Sequence, residues 1–332
     1  MQAKLVYVLT CASEKHYIEQ ALIAVFSARQ WNPKAHIVLL VDDKTDALLV
    51  GKRSEIIDYI SEKIVIPFED ATLSPMYRSR WIKTSVRQLV EGDFMFVDCD
   101  TIVCKSLSEI DTFDCEVGAV LESHLMVEEY CDSLRKKAFA ANTRIGVDLE
   151  KEKAYFSSGV LWVKDVPDSY RLYELWHQYW LESEALGLPI DQPSLAKANR
   201  DCGHLIKRIS DTYNCILFTR NNFIEEAHIL HIAAYMNPSF LFTEKVFKRI
   251  KEEGLSEWVK CAILHPLDTM LPFDYAVRYS TFGKRLGWIR SISQTASVIR
   301  KNLPELMEDF PMQSSFKKAV VWLFVHRCYR VG

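Results

Sequence analysis

The segment "DFMFVDCDTIVC" (93–104) constrains this chain most: an apolar run, strand-like in composition, ends in two aspartates one residue apart. Carboxylates are poor strand formers and costly to bury, so the fold has to give Asp98 and Asp100 a use at the mouth of a hydrophobic strand. The rest of the chain shows what kind of strand this is. "KLVYVL" (4–9) is followed by apolar residues at helical spacing (Ile18, Ala21, Leu22, Val25, Phe26), then by "HIVLLV" (36–41). The alternation continues with "KIVIP" (63–67), a helix through Arg80 to Leu89, "DFMFV" (93–97) and "VGAVL" (117–121). A later strand, "AYFSSGVLWV" (154–163), precedes an amphipathic helix marked by Leu172, Leu175, Trp176, Tyr179 and Trp180. Strands that are apolar throughout and alternate with helices predict an α/β fold, with a mostly parallel central sheet flanked by helices.

In such sheets ligands bind beyond the carboxyl ends of the strands. Two aspartates at spacing two after a strand can point the same way and offer hard oxygen ligands to Mg²⁺ or Mn²⁺, which complete their shells with phosphate oxygens and water. An acidic turn capping a strand is the other reading of a bare Asp-x-Asp, so the motif needs company.

Composition narrows the classes. With 332 residues, 49% hydrophobic and 26% charged, the chain can bury a substantial core in one large or two modest domains, which excludes a disordered protein. No apolar run approaches the ~20 residues of a membrane helix, and "MQAKLVYVLTCASEKHY" lacks the pattern of a signal peptide, so a cytoplasmic location is expected. Nine cysteines without C-x-x-C spacing read as reduced thiols, with no disulfides and no zinc knuckle. "TCASEKHY" (10–17) has no glycine where a dinucleotide-binding turn would need three, and the motifs of P-loop kinases, H-E-x-x-H proteases and G-x-S-x-G hydrolases are absent. Nothing in the sequence points to nucleic acid.

Four blocks in order supply the company. "YRSRWIKTSVRQLVEGDFMFVDCDTIVCKSL" (77–107), "YFSSGVLWV" (155–163), "DQPSL" (191–195) and "HILHIAAYMNP" (228–238) resemble the conserved stretches of glycosyltransferase family 8, which includes glycogenin and bacterial α-galactosyl- and α-glucosyltransferases of surface glycans. The resemblance implies a GT-A type nucleotide-diphospho-sugar transferase fold, with residues 1–270 as the catalytic domain and 271–332 as a basic, helical C-terminal region. It implies a UDP-sugar donor, a glycan or lipid-linked glycan acceptor, and retention of anomeric configuration. Asp98, Asp100 and His231 match the ligands of Mn²⁺ (or Mg²⁺), with His228 as the rival histidine. Tyr17 matches an aromatic that stacks on uracil, or is a residue stapling a helix start. Arg80, Asp98, Ser157 and Glu122 match donor-binding positions. Asp191 and Gln192 match the catalytic pair beside the anomeric carbon, and Asp191 also reads as a helix N-cap before Pro193. The chain departs from the family where Ser157 replaces an Asn and where Ala234 and Asn237-Pro238 replace Gly and Lys-Pro. These departures keep open a catalytically inactive nucleotide-sugar-binding protein, and a nucleotidyltransferase on a related sheet is the other alternative.

Charge is unevenly placed. Residues 275–332 hold ten Lys and Arg against three acidic residues, a balance of +7, which leaves −10 for the rest of a chain whose net charge is −3. Within the tail, "SSFKKAVVWLFVHRCYRVG" (314–332) joins Lys317, Lys318, Arg327 and Arg330 to the apolar run Ala319 to Val325. That run is too short to span a bilayer, but it can lie in the interface with cations toward anionic headgroups, each contributing about 1 kcal/mol; a last helix packed on the catalytic domain is the other reading. Peripheral attachment to the inner face of the membrane predicts co-sedimentation with anionic vesicles that is strong at low salt, weakens as salt rises and falls when residues 314–332 are deleted.

Overall fold

The apolar runs become strands because each of their side chains has a partner on one sheet face or the other. β1 (Lys4–Leu9), β2 (Ile37–Asp42) and β4 (Phe94–Val97) lie side by side at the centre, with β3 (Glu62–Ile66) at one edge. Leu5, Tyr7, Leu9, Leu39, Val41, Met95 and Val97 pack into one buried cluster, while Val6, Val8, Val38, Leu40, Phe94 and Phe96 pack into another. The period-two alternation of the central strands β1, β2 and β4 therefore fills two cores, while the edge strand β3 keeps Glu62, Lys63 and Val65 exposed. The computed structural model describes residues 1–130, 132–216, 223–232 and 240–269.

The main sheet has seven strands in the order β3-β2-β1-β4-β7-β6-β8, where β6 is Val117–Leu121, β7 is Phe156–Val163 and β8 is Ile206–Arg208. The pairs β2–β3, β1–β2, β1–β4 and β6–β8 are parallel, and β7 runs antiparallel to both β4 and β6. A smaller sheet joins β5 (Thr101–Val103), β10 (Ile229–His231) and β9 (Cys215–Ile216), with β10 antiparallel to β5 and parallel to β9.

Helices cover both faces of the main sheet. α1 (Tyr17–Trp31) sits in the first core between the two sheets, and its Ile18, Leu22 and Val25 are fully buried. α2 (Asp43–Asp46) follows β2; α3 (Pro75–Thr84) and α4 (Val86–Leu89) follow β3. The single helix read over Arg80 to Leu89 is therefore two, broken at Ser85. Thr84 Oγ1 turns back to the carbonyls of Arg80 and Trp81 (2.9 and 3.2 Å), and its hydroxyl and that of Ser85 both meet His177 Nδ1, so the hydroxyls compete with the helical ladder there. Ile82, Val86, Leu172, Trp176 and Leu195 close the second core; Leu172 and Trp176 come from α6 (Pro167–Ala185) and Leu195 from α7 (Gln192–Asp201). α5 (Asp132–Arg144) lies against α7, and α8 (Glu244–Glu253) and α9 (Glu257–Leu264) lie on α1. The basic C-terminal region, Ala234, Asn237 and Pro238 fall outside the described residues.

Two buried ion pairs fix the loops at the carboxyl edge. Asp42 ends β2, caps α2 by accepting the Thr45 amide (3.0 Å) and pairs with Arg78 of α3. Arg53 grips both oxygens of Glu19 on α1 (2.6 and 3.1 Å) and also donates to the Lys15 carbonyl (2.9 Å), which pins the turn after β1. Removing one member of such a pair strands a charge away from water. Arg78→Leu is expected to lower unfolding free energy by about 3–5 kcal/mol in urea melts, and Asp42→Asn in that background to restore part of the loss.

Candidate active site

Three polar segments meet at the carboxyl edge of β4 because β7 runs the other way. Its antiparallel course brings its beginning, Ser157 and Ser158, beside the end of β4, with the Asp98 amide donating to the Gly159 carbonyl (2.8 Å). The chain then turns through Cys99 and Asp100 into β5, where Thr101 pairs with His231 of β10 and the Ile232 amide donates to the Asp100 carbonyl (2.9 Å). That pairing carries His231 to the two aspartates from more than a hundred residues away.

One ligand atom each from Asp98, Asp100 and His231 lie within 4.8 Å of one another. His231 Nε2 sits 3.2 Å from Asp100 Oδ1, and Nδ1 is 2.9 Å from Asn214 Oδ1. An amide oxygen only accepts, so Nδ1 carries a hydrogen; Nε2 carries one too and donates to Asp100 in the absence of a cation, and its lone pair becomes available to a ligand once that proton leaves. Burial pushes the Asp100 carboxyl up, but the charge and hydrogen bond of His231 together outweigh it and hold the group down at about 2. Burial pushes the Asp98 carboxyl up against the pull of Lys83, and Asp100 adds to the rise. Two carboxylates and one neutral-capable imidazole whose far nitrogen is already tied form a donor set suited to a divalent cation such as Mn²⁺. Gly159 makes room for it: a Cβ there would overlap His231 Cε1 and lie 3.0 Å from Asp98 Oδ2.

The triad stands at the junction of two cavities. One, of about 420 Å³, is lined by Glu122, Ser123, Ser157, Asp191 and Gln192. The other, of about 480 Å³, lies between the turn after β1 and the start of α3, and Tyr17 lines it with 47% of its surface exposed. Arg80, Asp98 and Asp100 border both. Tyr17 is the first residue of α1, so its ring faces the opening rather than the core.

Asp191 occupies the N-cap position of α7 but accepts no capping hydrogen bond from that helix. Its carboxylate faces Arg80 Nε at 3.0 Å and Lys83 Nζ at 3.3 Å. Burial pushes Asp191 up, and the two cations reverse this and hold it well below the usual carboxylate range. Gln192 donates through Nε2 to Glu122 Oε2 (2.9 Å) and to the Phe156 carbonyl (3.0 Å). Both amide hydrogens are thereby used, so the carbonyl oxygen is what Gln192 can offer to a ligand. Ser157 Oγ accepts from Asn214 Nδ2 (3.2 Å). His228 lies elsewhere: its ring stacks on Tyr213 at 4.4 Å and its Nδ1 meets Thr212 Oγ1.

Sequence reasoning missed Lys83, Ser158 and Asn214. Lys83, 2% exposed, reaches both oxygens of Asp98 (3.1 and 3.3 Å), Asp191 and the Ser158 hydroxyl. Its place three residues after Arg80 puts both on one helix face, a signal present in "RSRWIK". Asn214 has no such signal, since "DTYNC" matches no motif.

No protein-family model matches this sequence, and no curated protein matches it. Solved structures with a similar chain path include mouse xyloside xylosyltransferase 1 in its apo form, at 14% identity and a TM-score of 0.45, covering 69% of this chain and 97% of that one. Galactosyltransferase LgtC in complex with donor and acceptor sugar analogues is similar at 14% identity and a TM-score of 0.47, covering 75% and 95%. The glycosyltransferase GlyE of Streptococcus pneumoniae is similar at 16% identity and a TM-score of 0.46, covering 84% and 66%. Likeness at this level assigns no activity to the chain.

The close approach at Gly159 gives a direct test. The Gly159 carbonyl is held by the Asp98 amide, so Gly159→Ala is expected to push His231 aside and, if the triad holds a divalent cation, to weaken its binding by about 10–100-fold in calorimetry while the far-ultraviolet spectrum stays unchanged.

Proposed function

We propose that this chain is a metal-dependent, retaining glycosyltransferase that moves a hexose from a UDP-sugar to a glycan or lipid-linked glycan acceptor. The observation that carries the reading is the Asp98–Asp100–His231 triad at the junction of two cavities, with Asp191, Gln192 and Glu122 lining one of them. Asp98, Asp100 and His231 would hold Mn²⁺, or Mg²⁺, against the donor diphosphate. Bound there, the ion supplies Lewis-acid stabilisation of the charge that develops on the leaving nucleotide diphosphate.

The protein's own residues supply the rest. Tyr17 offers a half-exposed ring against which uracil can stack. Arg80 and Lys83 keep Asp191 ionised and aimed, so that its carboxylate can orient the sugar beside the breaking bond. Glu122 holds Gln192 with its carbonyl oxygen available to the electron-poor anomeric centre. Glu122 and Ser157 border the same cavity and can bind sugar hydroxyls. Residues 1–270 form the catalytic unit in this reading. No helix among the described residues is long and apolar enough to cross a membrane, and the +7 balance of residues 275–332 supports peripheral contact with the inner membrane face, where a lipid-linked acceptor is presented.

UDP release from a panel of UDP-sugars with Mn²⁺ tests the activity. Asp100→Asn keeps volume and removes an anionic ligand; it is expected to reduce Mn²⁺-dependent release to background with the fold intact, and wild-type turnover in that variant would remove the metal assignment. Gln192→Ala is expected to lower kcat on the order of 10²-fold with little change in donor affinity, whereas lost donor binding in calorimetry would place Gln192 in ground-state recognition.

A further inference from the structure

Immediately after β6 the backbone does something costly. Ser123 and His124 both take left-handed conformations, with φ of 59° and 57°. Two consecutive non-glycine residues there cost about 1 kcal/mol or more each, and such strain persists only where the surroundings hold it. The turn has two products. Ser123 lines the cavity that holds Asp98, Asp100 and Gln192, and the His124 side chain, 2% exposed, turns inward.

His124 is held from three directions. Its Nε2 accepts the backbone amide of Ile216 at 3.1 Å. An amide N–H only donates, so the ring hydrogen sits on Nδ1, which faces Asp211 Oδ1 at 3.6 Å. The ring of Phe223 meets it edge-on at 5.0 Å. Asp211 is held in turn by Arg208, whose Nη2 donates to Oδ2 at 2.8 Å.

Asp211 and Ile216 are the two ends of a short arch, a 3₁₀ turn over Asp211–Asn214 followed by β9. Its middle carries Asn214, which is fully buried, accepts from His231 Nδ1 at 2.9 Å and donates to Ser157 Oγ at 3.2 Å. His124 thus bonds one end of the arch at the Ile216 amide and faces the other at Asp211, and the centre of that arch holds the Nδ1 hydrogen and the direction of His231.

We infer that His124 is a positioning residue for the metal-binding histidine, acting through the 211–216 arch and Asn214. The inference rests on the metal site proposed above. It accounts for a non-glycine residue in this left-handed turn: glycine would take the same φ without strain but would carry no imidazole to accept the Ile216 amide.

The test is Mn²⁺ binding by calorimetry to the full chain, without donor, alongside thermal melts with and without the ion. His124→Leu fills the space but offers no acceptor; it is expected to weaken Mn²⁺ binding about 10–100-fold and to shrink the stabilisation that Mn²⁺ gives in the melt. His124→Gln, whose amide oxygen can replace Nε2, is expected to recover affinity to within a few-fold. A merely structural role would not discriminate between these two in metal affinity once both are folded. If the leucine variant does not fold, His124→Asn, too short to reach the Ile216 amide, takes its place with the same expected loss. A folded leucine or asparagine variant with wild-type Mn²⁺ affinity overturns the inference and leaves the metal site standing. Wild-type chain that takes up no Mn²⁺, with Asp100→Asn no different from it, overturns the metal reading and this inference with it.

Discussion

Lys83 makes the rest of the site tolerable. Asp98, Asp100, Asp191 and Glu122 border one cavity, and four carboxylates gathered there repel one another. A single ammonium, almost fully buried, lies between Asp98 and Asp191 and faces both. Arg80, from the same helix face, takes the outer oxygen of Asp191. The amphipathic periodicity of α3 places Ile82 in the core, and the opposite face puts these two cations at the sheet edge. Ordinary helix geometry thus supplies the counter-charge that lets an acidic site form inside an apolar fold.

Strand direction decides what meets there. Parallel β1, β2 and β4 bring their carboxyl ends to one edge, and antiparallel β7 brings its amino end to the same edge. Ser157, Ser158 and Gly159 therefore face Asp98 although they open their strand and Asp98 follows its own. The small sheet adds the third member of the cluster by pairing Thr101 with His231. The arch that carries Asn214 lies next to that sheet, so the imidazole is oriented by the same element that delivers it.

Much of this was legible in the chain. The strands at 4–9, 93–97 and 117–121 stand within a residue of where they were read, because each is apolar on both faces and bounded by polar residues. Asp98 and Asp100 were readable as a pair because a single residue separates them and they close a strand. Asp191 was readable as an N-cap only by position; its side chain left the helix for Arg80 and Lys83, a stronger pull in a buried site than an amide hydrogen. The choice between His228 and His231 lay beyond local reasoning, since both stand in one short apolar segment and only the β5–β10 register separates them: His231 is opposite Thr101, while His228 packs on Tyr213.

By itself the sequence determined the layers, the strand identities and the acidic strand end, because hydrophobic period and the cost of burying charge are local properties. Only the tertiary structure decided which distant groups complete the site. The course of β7, the partner of β10, the buried bridge of Lys83 and the arch behind Asn214 depend on long-range pairing, and no spacing along the chain encodes the distance between two side chains that meet from different strands.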